Sequence, residues 1–115
     1  QGLPPSNARK AEVLALPGTT LRYSGPGYPV AEIALQQHLK RPFESLMRTW
    51  LTGPVGMRHA DFSQPAPRDG EEHVARGHQG DGQPVPGGWH AHPEQAAAGL
   101  WATPADLAAL LKSKD

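Results

Sequence analysis

Residues 28–51 read Tyr-Pro-Val-Ala-Glu-Ile-Ala-Leu-Gln-Gln-His-Leu-Lys-Arg-Pro-Phe-Glu-Ser-Leu-Met-Arg-Thr-Trp-Leu. Val30, Ile33, Ala34 and His38 recur at helical spacing, with Leu35 and Leu39 alongside and Glu32, Gln36, Gln37 and Lys40 on the other side. That pattern predicts a helix over 28–40 with one apolar and one polar face. A proline costs no hydrogen bond in the first turn, so Pro42 opens a second helix over about 42–51. Phe43, Leu46, Met47, Trp50 and Leu51 form its apolar stripe, and Gly53-Pro54 ends it. This stretch makes the chain mainly α.

Outward from it, order thins. From Gly53 to Gly88 the residues are mostly those of loops: Asp69-Gly70, Gly80, Gly82, Pro84, Pro86 and Gly87-Gly88. Val55-Gly56-Met57 is a small apolar plug, and extended pieces fit only around 73–78 and 83–85. So long a loop is unusual inside a lone compact domain. Thr103-Pro104-Ala105-Asp106 is a helix start, with Thr as cap, Pro in the first position and Asp in the first turn. Leu107, Leu110 and Leu111 are the expected buried face of that helix. Upstream, Pro4, Pro5 and Pro17-Gly18 break the chain around Val13-Leu14-Ala15-Leu16, and Leu21-Arg22-Tyr23-Ser24 reads as a short extended segment. The expected fold is three short helices with long loops and little strand.

Composition narrows the function. The chain has 115 residues, 13 Gly, 13 Pro, 37% hydrophobic and 6% aromatic residues, so little apolar surface is there to bury. Eleven basic residues balance eleven acidic ones, which argues against nucleic acid or anionic membrane as a partner. No apolar run approaches the length of a membrane span. Without cysteine there is no disulfide, thiolate zinc site or thiol nucleophile.

Six histidines raise the question of a metal. His90-Ala91-His92 with Glu94 and His78 is the best grouping, but the segment is loop-like and spacing fixes no third ligand, so no metal is expected. Serine nucleophile signatures fail one by one. Ser24 lacks the first glycine of a nucleophile elbow. A Ser-x-x-Lys motif sets lysine one helical turn from the serine, to take its proton. Ser6 and Ser45 instead meet Arg9 and Arg48 at that spacing, and arginine keeps its proton. No Lys-Thr-Gly occurs, and no cofactor-binding glycine pattern is present.

Three blocks, in order, carry a resemblance. Leu16-Pro17-Gly18-Thr19-Thr20-Leu21-Arg22-Tyr23-Ser24-Gly25 is similar to a Pro-Gly stretch leading into Tyr-x-Asn. Pro42-Phe43-Glu44-Ser45-Leu46-Met47, running on to Gly53-Pro54-Val55-Gly56-Met57, is similar to a helix ending in Pro-Leu-Gly-Met. Ala97-Ala98-Gly99-Leu100-Trp101-Ala102-Thr103-Pro104-Ala105-Asp106-Leu107-Ala108 is similar to a Gly-Leu-x-x-Thr-x-x-Asp-Leu-Ala helix start. Gly77-His78-Gln79-Gly80-Asp81-Gly82 and Gly87-Gly88-Trp89 fit between them. Together they resemble the serine β-lactamase-like hydrolases: class C β-lactamases, related esterases and penicillin-binding proteins.

The resemblance implies the helical middle segment of a β-lactamase/transpeptidase-like α/β fold, with residues 1–115 as one part of a larger hydrolase domain. It implies that Tyr23 is the motif tyrosine, which helps activate a serine and relays its proton to the leaving group. The lysines beside such a phenol belong to Ser-x-x-Lys and Lys-Thr-Gly, neither of which is here. His78-Gln79-Gly80 lies in the wrong order to replace the latter. Gly25, Ala98 and Gly99 fall on substrate-flanking positions. Gly25 replaces the asparagine of Tyr-x-Asn, which favours esterase or peptidase relatives over true β-lactamases. Ala98 replaces a tyrosine, which opens that wall. The expected function is a part of a serine hydrolase, bordering the cleft and inactive alone. A non-catalytic binding module on the same scaffold is the alternative. The expected partner is the remainder of the hydrolase, or a second copy, meeting the face that carries Trp50 and Leu51. The family is compatible with a periplasmic or secreted setting.

Overall fold

The computed structural model describes residues 12–65 and 74–113. The breaks expected at Pro4, Pro5 and Asp69-Gly70 lie outside them. Among the described residues there are five α-helical segments and one π-helix: α1 (Gly27–Leu39), α2 (Phe43–Met47), a π-helix (Arg48–Thr52), α3 (Gly53–Val55), α4 (Gln95–Ala98) and α5 (Pro104–Lys112). No strand forms among the described residues. Two isolated antiparallel bridges, Asp61 with Trp101 and His78 with Pro84, take that place, and Leu21–Ser24 stays unpaired. The mainly α architecture follows the sequence reading.

The core is small. Phe43, Leu46, Met57, Phe62 and Val85 are its buried apolar members, and Leu46 is fully enclosed. Phe43 meets Phe62 edge-on, with ring centroids 5.3 Å apart at 87°, the favourable arrangement for two aromatic quadrupoles. The Val55–Met57 plug holds through Met57.

Helix α1 packs on α2 and α4 with its polar side, and its apolar stripe stays bare. Glu32 is buried, whereas Val30 and Ile33 are 57% and 51% exposed. Leu35, Gln36 and Leu39 are half-buried beside Glu32. The reason is the backbone of the neighbouring helices. First-turn N–H groups of a helix have no partner inside it. Pro42 and Glu94, the caps of α2 and α4, give no side-chain hydrogen bond to those groups. The Ala96 N–H therefore donates to Glu32 Oε2 at 2.8 Å, and the Phe43 N–H donates to Gln36 Oε1 at 3.1 Å.

The second predicted helix is three pieces rather than one. Pro54 has no N–H for the carbonyl one turn back, and its ring would press on that carbonyl. The chain passes this point by widening to a π register: the Gly53 N–H donates to the Arg48 carbonyl, and the run ends at Gly56 with φ 77°. A Cβ on Gly53 would stand 2.6 Å from the Arg48 oxygen, so only glycine fits.

Helix α5 begins as predicted. The Asp106 N–H donates to Thr103 Oγ1 at 3.2 Å, and Asp106 Oδ2 accepts from the Thr103 N–H at 3.1 Å and its hydroxyl at 2.7 Å, a reciprocal capping box. Its buried face differs from prediction. Leu107 and Leu111 are 44% and 67% exposed, Leu110 is half-buried, and Asp106 is the buried residue. Asp106 Oδ1 also accepts the His59 N–H at 3.3 Å, tying α5 to the turn after α3.

Burial pushes the Glu32 carboxyl above its ordinary value of 4.5, partly offset by the Ala96 N–H, with Glu94 and Glu44 adding repulsion. The Thr103 hydroxyl, against a desolvation that would raise it, holds Asp106 below 3.8. For Asp61 the opposing desolvation is outweighed by the Ser63 hydroxyl and N–H and by Arg48, 3.1 Å away, so its carboxyl also lies below 3.8.

Two outcomes follow from these contacts. Gly53→Ala should lower stability by about 1–3 kcal/mol, the usual cost of forcing an atom into filled space. Gly80→Ala, which meets nothing within 4 Å, should stay within about 0.5 kcal/mol. Urea unfolding of both variants tests this, and equal midpoints would refute it. The second outcome concerns pH. A raised carboxyl binds its proton more tightly when folded, so the Glu32 contribution is fullest below pH 4.5 and is lost as pH rises through the folded value. Asp61 and Asp106 act oppositely: their contribution is full above 3.8 and is lost as pH falls through their lowered values. Glu32→Gln keeps the acceptor for Ala96 without the charge. Its melting temperature relative to wild type should therefore climb as pH is raised above 4.5, and a constant difference from acid to neutral pH would contradict this account.

Candidate functional site

The segment from Asp61 to Gln64 pins the opposite run, His92 to Trp101. Asp61 and Trp101 exchange backbone hydrogen bonds of 2.9 and 2.8 Å. Gln95 Nε2, on a buried side chain, donates to the Phe62 carbonyl at 2.8 Å. Gln64 serves both ends of the run: its Nε2 donates to the Gly99 carbonyl at 3.0 Å and its Oε1 accepts from the His92 N–H at 3.1 Å.

The four sequence-predicted site residues fall into two groups. Ala98 and Gly99 end α4. Ala98 is exposed and Gly99 is buried, with the Gly99 N–H donating to the Gln95 carbonyl at 2.8 Å. Tyr23 and Gly25 precede α1. Tyr23 is 98% exposed and makes no hydrogen bond, ion pair or ring contact among the described residues. Gly25 is half-buried in the turn whose carbonyl accepts the Tyr28 N–H at 3.3 Å. A Cβ on Gly25 would meet nothing within 4 Å, so the space for a side chain at this position is open. No hydrogen bond joins the two groups.

Sequence reasoning missed a cavity of about 320 Å³ beside Ala98. Trp89 and Trp101 wall it, meeting edge-on with centroids 5.8 Å apart at 71°. Val85 and Leu100 contribute apolar surface, and His78, His90 and His92 line it as well. The 77–88 hairpin shapes one side. The Gly77 N–H donates to the Gly88 carbonyl at 2.6 Å and the Val85 N–H to the Gly77 carbonyl at 2.9 Å, while Gln79 and Gln83 pair across the tip at 2.8 Å. Gly82, Gly87 and Gly88 turn with φ of 82°, 82° and 93°, a backbone region that glycine enters freely. The available signal was Gly87-Gly88-Trp89, a tight bend carrying a large aromatic. The His90 and His92 rings lie 6.5 Å apart. Among the described residues no three His, Asp or Glu side chains gather as a metal site, and no helix is long and apolar enough to cross a membrane.

A family model described as Beta-lactamase matches residues 2–115. Among solved structures the chain is similar to a β-lactamase/D-alanine carboxypeptidase from Pseudomonas syringae, at 22% identity and TM-score 0.70 over 86% of this chain and 27% of that one. It is also similar to the D-amino acid amidase from Ochrobactrum anthropi SV3. With D-phenylalanine bound, that structure gives 24% identity and TM-score 0.65 over 88% of this chain and 32% of that one. With L-phenylalanine amide bound it gives 27% identity and TM-score 0.65 over 88% and 31%. The chain thus spans 27–32% of the length of these structures. No curated protein matches.

The position of Gly99 yields a direct test. A Cβ there would stand 2.6 Å from Gln95 Cα and 2.8 Å from its carbonyl oxygen. Gly99→Ala should cost about 1–3 kcal/mol and loosen the run that Gln64 and Gln95 hold. Ala98→Gly, on the exposed neighbour, should cost less than about 1 kcal/mol, the usual helix penalty of glycine. Thermal melts of the two variants distinguish them, and an Ala98 variant less stable than the Gly99 variant would reverse the assignment.

Proposed function

The chain belongs to the beta-lactamase family, and on that premise we propose that residues 1–115 form the middle, mostly helical part of a serine hydrolase domain, bordering its cleft and supplying Tyr23 as the motif tyrosine. One observation carries this reading: the family match runs over residues 2–115, and Tyr23 is taken as the motif tyrosine from the resemblance of residues 16–25 to a Pro-Gly stretch leading into Tyr-x-Asn. The phenol is 98% exposed, which leaves it open to groups supplied by other parts of the domain.

The chemistry is acyl transfer. A serine attacks a carbonyl more readily when a positioned base takes its proton, and the leaving group departs more readily when an acid returns that proton. Tyr23 serves as that relay. The nucleophile and the ammonium groups beside the phenol come from Ser-x-x-Lys and Lys-Thr-Gly segments, which these 115 residues do not contain. Alone, the chain has no nucleophile to activate.

Gly25 and Ala98 shape the choice of substrate. Gly25 offers no amide to a substrate's amide side chain, which favours ester and peptide bonds over β-lactams. Ala98 leaves the adjoining wall low. A similar solved structure is a D-amino acid amidase, and an acyl bond beside an amino-acid unit suits such an open wall. The remainder of the domain covers the apolar side chains left bare here, among them Leu21, Tyr28, Val30, Ile33 and Trp50. Leu51, half-buried, lies at the edge of that surface.

The experiment has two arms. The 115-residue chain, incubated with p-nitrophenyl butyrate and with nitrocefin, should turn over neither. The polypeptide in which these residues are joined to Ser-x-x-Lys and Lys-Thr-Gly segments should hydrolyse the ester, and Tyr23→Phe should lower its kcat by about 10²–10⁴, the range for loss of a proton-transfer group. Full activity in Tyr23→Phe would remove the tyrosine from the mechanism. Turnover by the isolated chain, free of contaminating enzyme, would overturn the proposal as a whole.

A further inference from the structure

The cavity between the 77–88 hairpin and Trp101 has a composition that selects a ligand. Its walls are aromatic and aliphatic: Trp89, Trp101, Val85 and Leu100. Val85 is buried, Trp89 and Trp101 are half-buried, and Leu100 is 38% exposed, so the apolar surface is partly open. Its polar lining is three imidazoles, His78, His90 and His92, with Gln79. Among the described residues no aspartate or glutamate lines it. A second cavity shares Val85 and Trp89 and adds Arg76, with no acidic residue among the described ones.

We propose that this cavity binds a small planar aromatic carboxylate. Each part of the ligand answers one feature. A volume of about 320 Å³ lies at the small end of ligand cavities, about 300–1,000 Å³, and fits one or two fused rings. Two tryptophan rings set at 71° form a corner in which a third ring stacks on one and meets the other edge-on, the two arrangements aromatic pairs favour. Imidazole N–H groups and the Gln79 amide offer donors at the rim, Arg76 adds positive charge next door, and among the described residues no carboxylate lines the cavity to oppose an anion. The backbone ladder of the hairpin sets the corner before a ligand arrives, which lowers the ordering cost of binding. Ala98, which the proposed function sets beside the substrate, also lines this cavity, but binding here needs no turnover and no contribution from Tyr23, so its failure and that of the hydrolase reading are told apart.

The test uses the 115-residue chain and three probes: 2-naphthoate, the cation 2-naphthylmethylammonium and the non-aromatic cyclohexanecarboxylate. Titration is followed by tryptophan fluorescence and by calorimetry. Naphthoate should bind saturably in the millimolar range or tighter, with each of the other probes roughly tenfold weaker or more. Trp89→Leu and Leu100→Asp should each weaken naphthoate roughly tenfold, the second by placing a like charge in the wall. Leu111→Ala, outside the cavity lining, should leave it unchanged. Leu100→Asp decides the matter if Trp89→Leu loses its native circular dichroism. Absence of saturable naphthoate binding, equal binding of the cation or of the aliphatic acid, or unchanged binding in a folded Leu100→Asp variant would each overturn the proposal.

Discussion

A backbone N–H withdrawn from water must find an acceptor, and here the acceptors are side chains from distant segments. Glu32 reaches Ala96, Gln36 reaches Phe43, Asp106 reaches His59, and Gln64 reaches His92. Gln64 and Gln95 complete the set by donating to the Gly99 and Phe62 carbonyls. A net hydrogen bond contributes only about 1 kcal/mol, yet a buried group left without its partner costs about 1–3 kcal/mol. With five buried apolar side chains as its core, the chain takes its arrangement from these reciprocal demands as much as from packing. Remove one acceptor, and a helix start elsewhere loses its partner.

This logic decides what borders the candidate site. Helix α4 is a single turn, too short to stand by propensity. It exists because Glu32 meets its first turn and Gln95 anchors it to Phe62. Ala98 and Gly99 end that turn, and the aromatic cavity opens beside them. The wall is therefore held by α1 and by the 61–64 segment, neither of which lines it. Tyr23 belongs to a different regime. It lies on a stretch with almost no contacts of its own among the described residues.

Much of this was legible in the sequence. Periodicity located α1, Pro42 opened α2, and Thr103-Pro104-x-Asp106 marked the start of α5. The order of three motif blocks pointed to the family before any geometry was available. The orientation of α1 was not legible, because periodicity reports which face is apolar and not which face a neighbour's backbone needs. Glu32 and Gln36 look like a solvated face until α2 and α4 are seen to begin against them. Asp106 misled in the same way, its cap role being local and its bond to His59 long-range. The π register is written in Gly53-Pro54, but those two residues read equally well as a helix end. Trp89 and Trp101 lie far enough apart in sequence, across loop residues, that no spacing announces their corner.

The side chain of Gln64 joins two backbones at once, donating to Gly99 and accepting from His92. A carboxylate of the same reach would lose the donor, an ammonium the acceptor, and asparagine would fall a carbon short. Position 64 is thus a lock whose key has a single cut, and in a population of variants it should tolerate almost nothing else. It is also a linkage in the mechanical sense. Any displacement of the cavity rim at His92 is felt at the buried end of α4 through one amide group, so the two margins of the site travel as a single part.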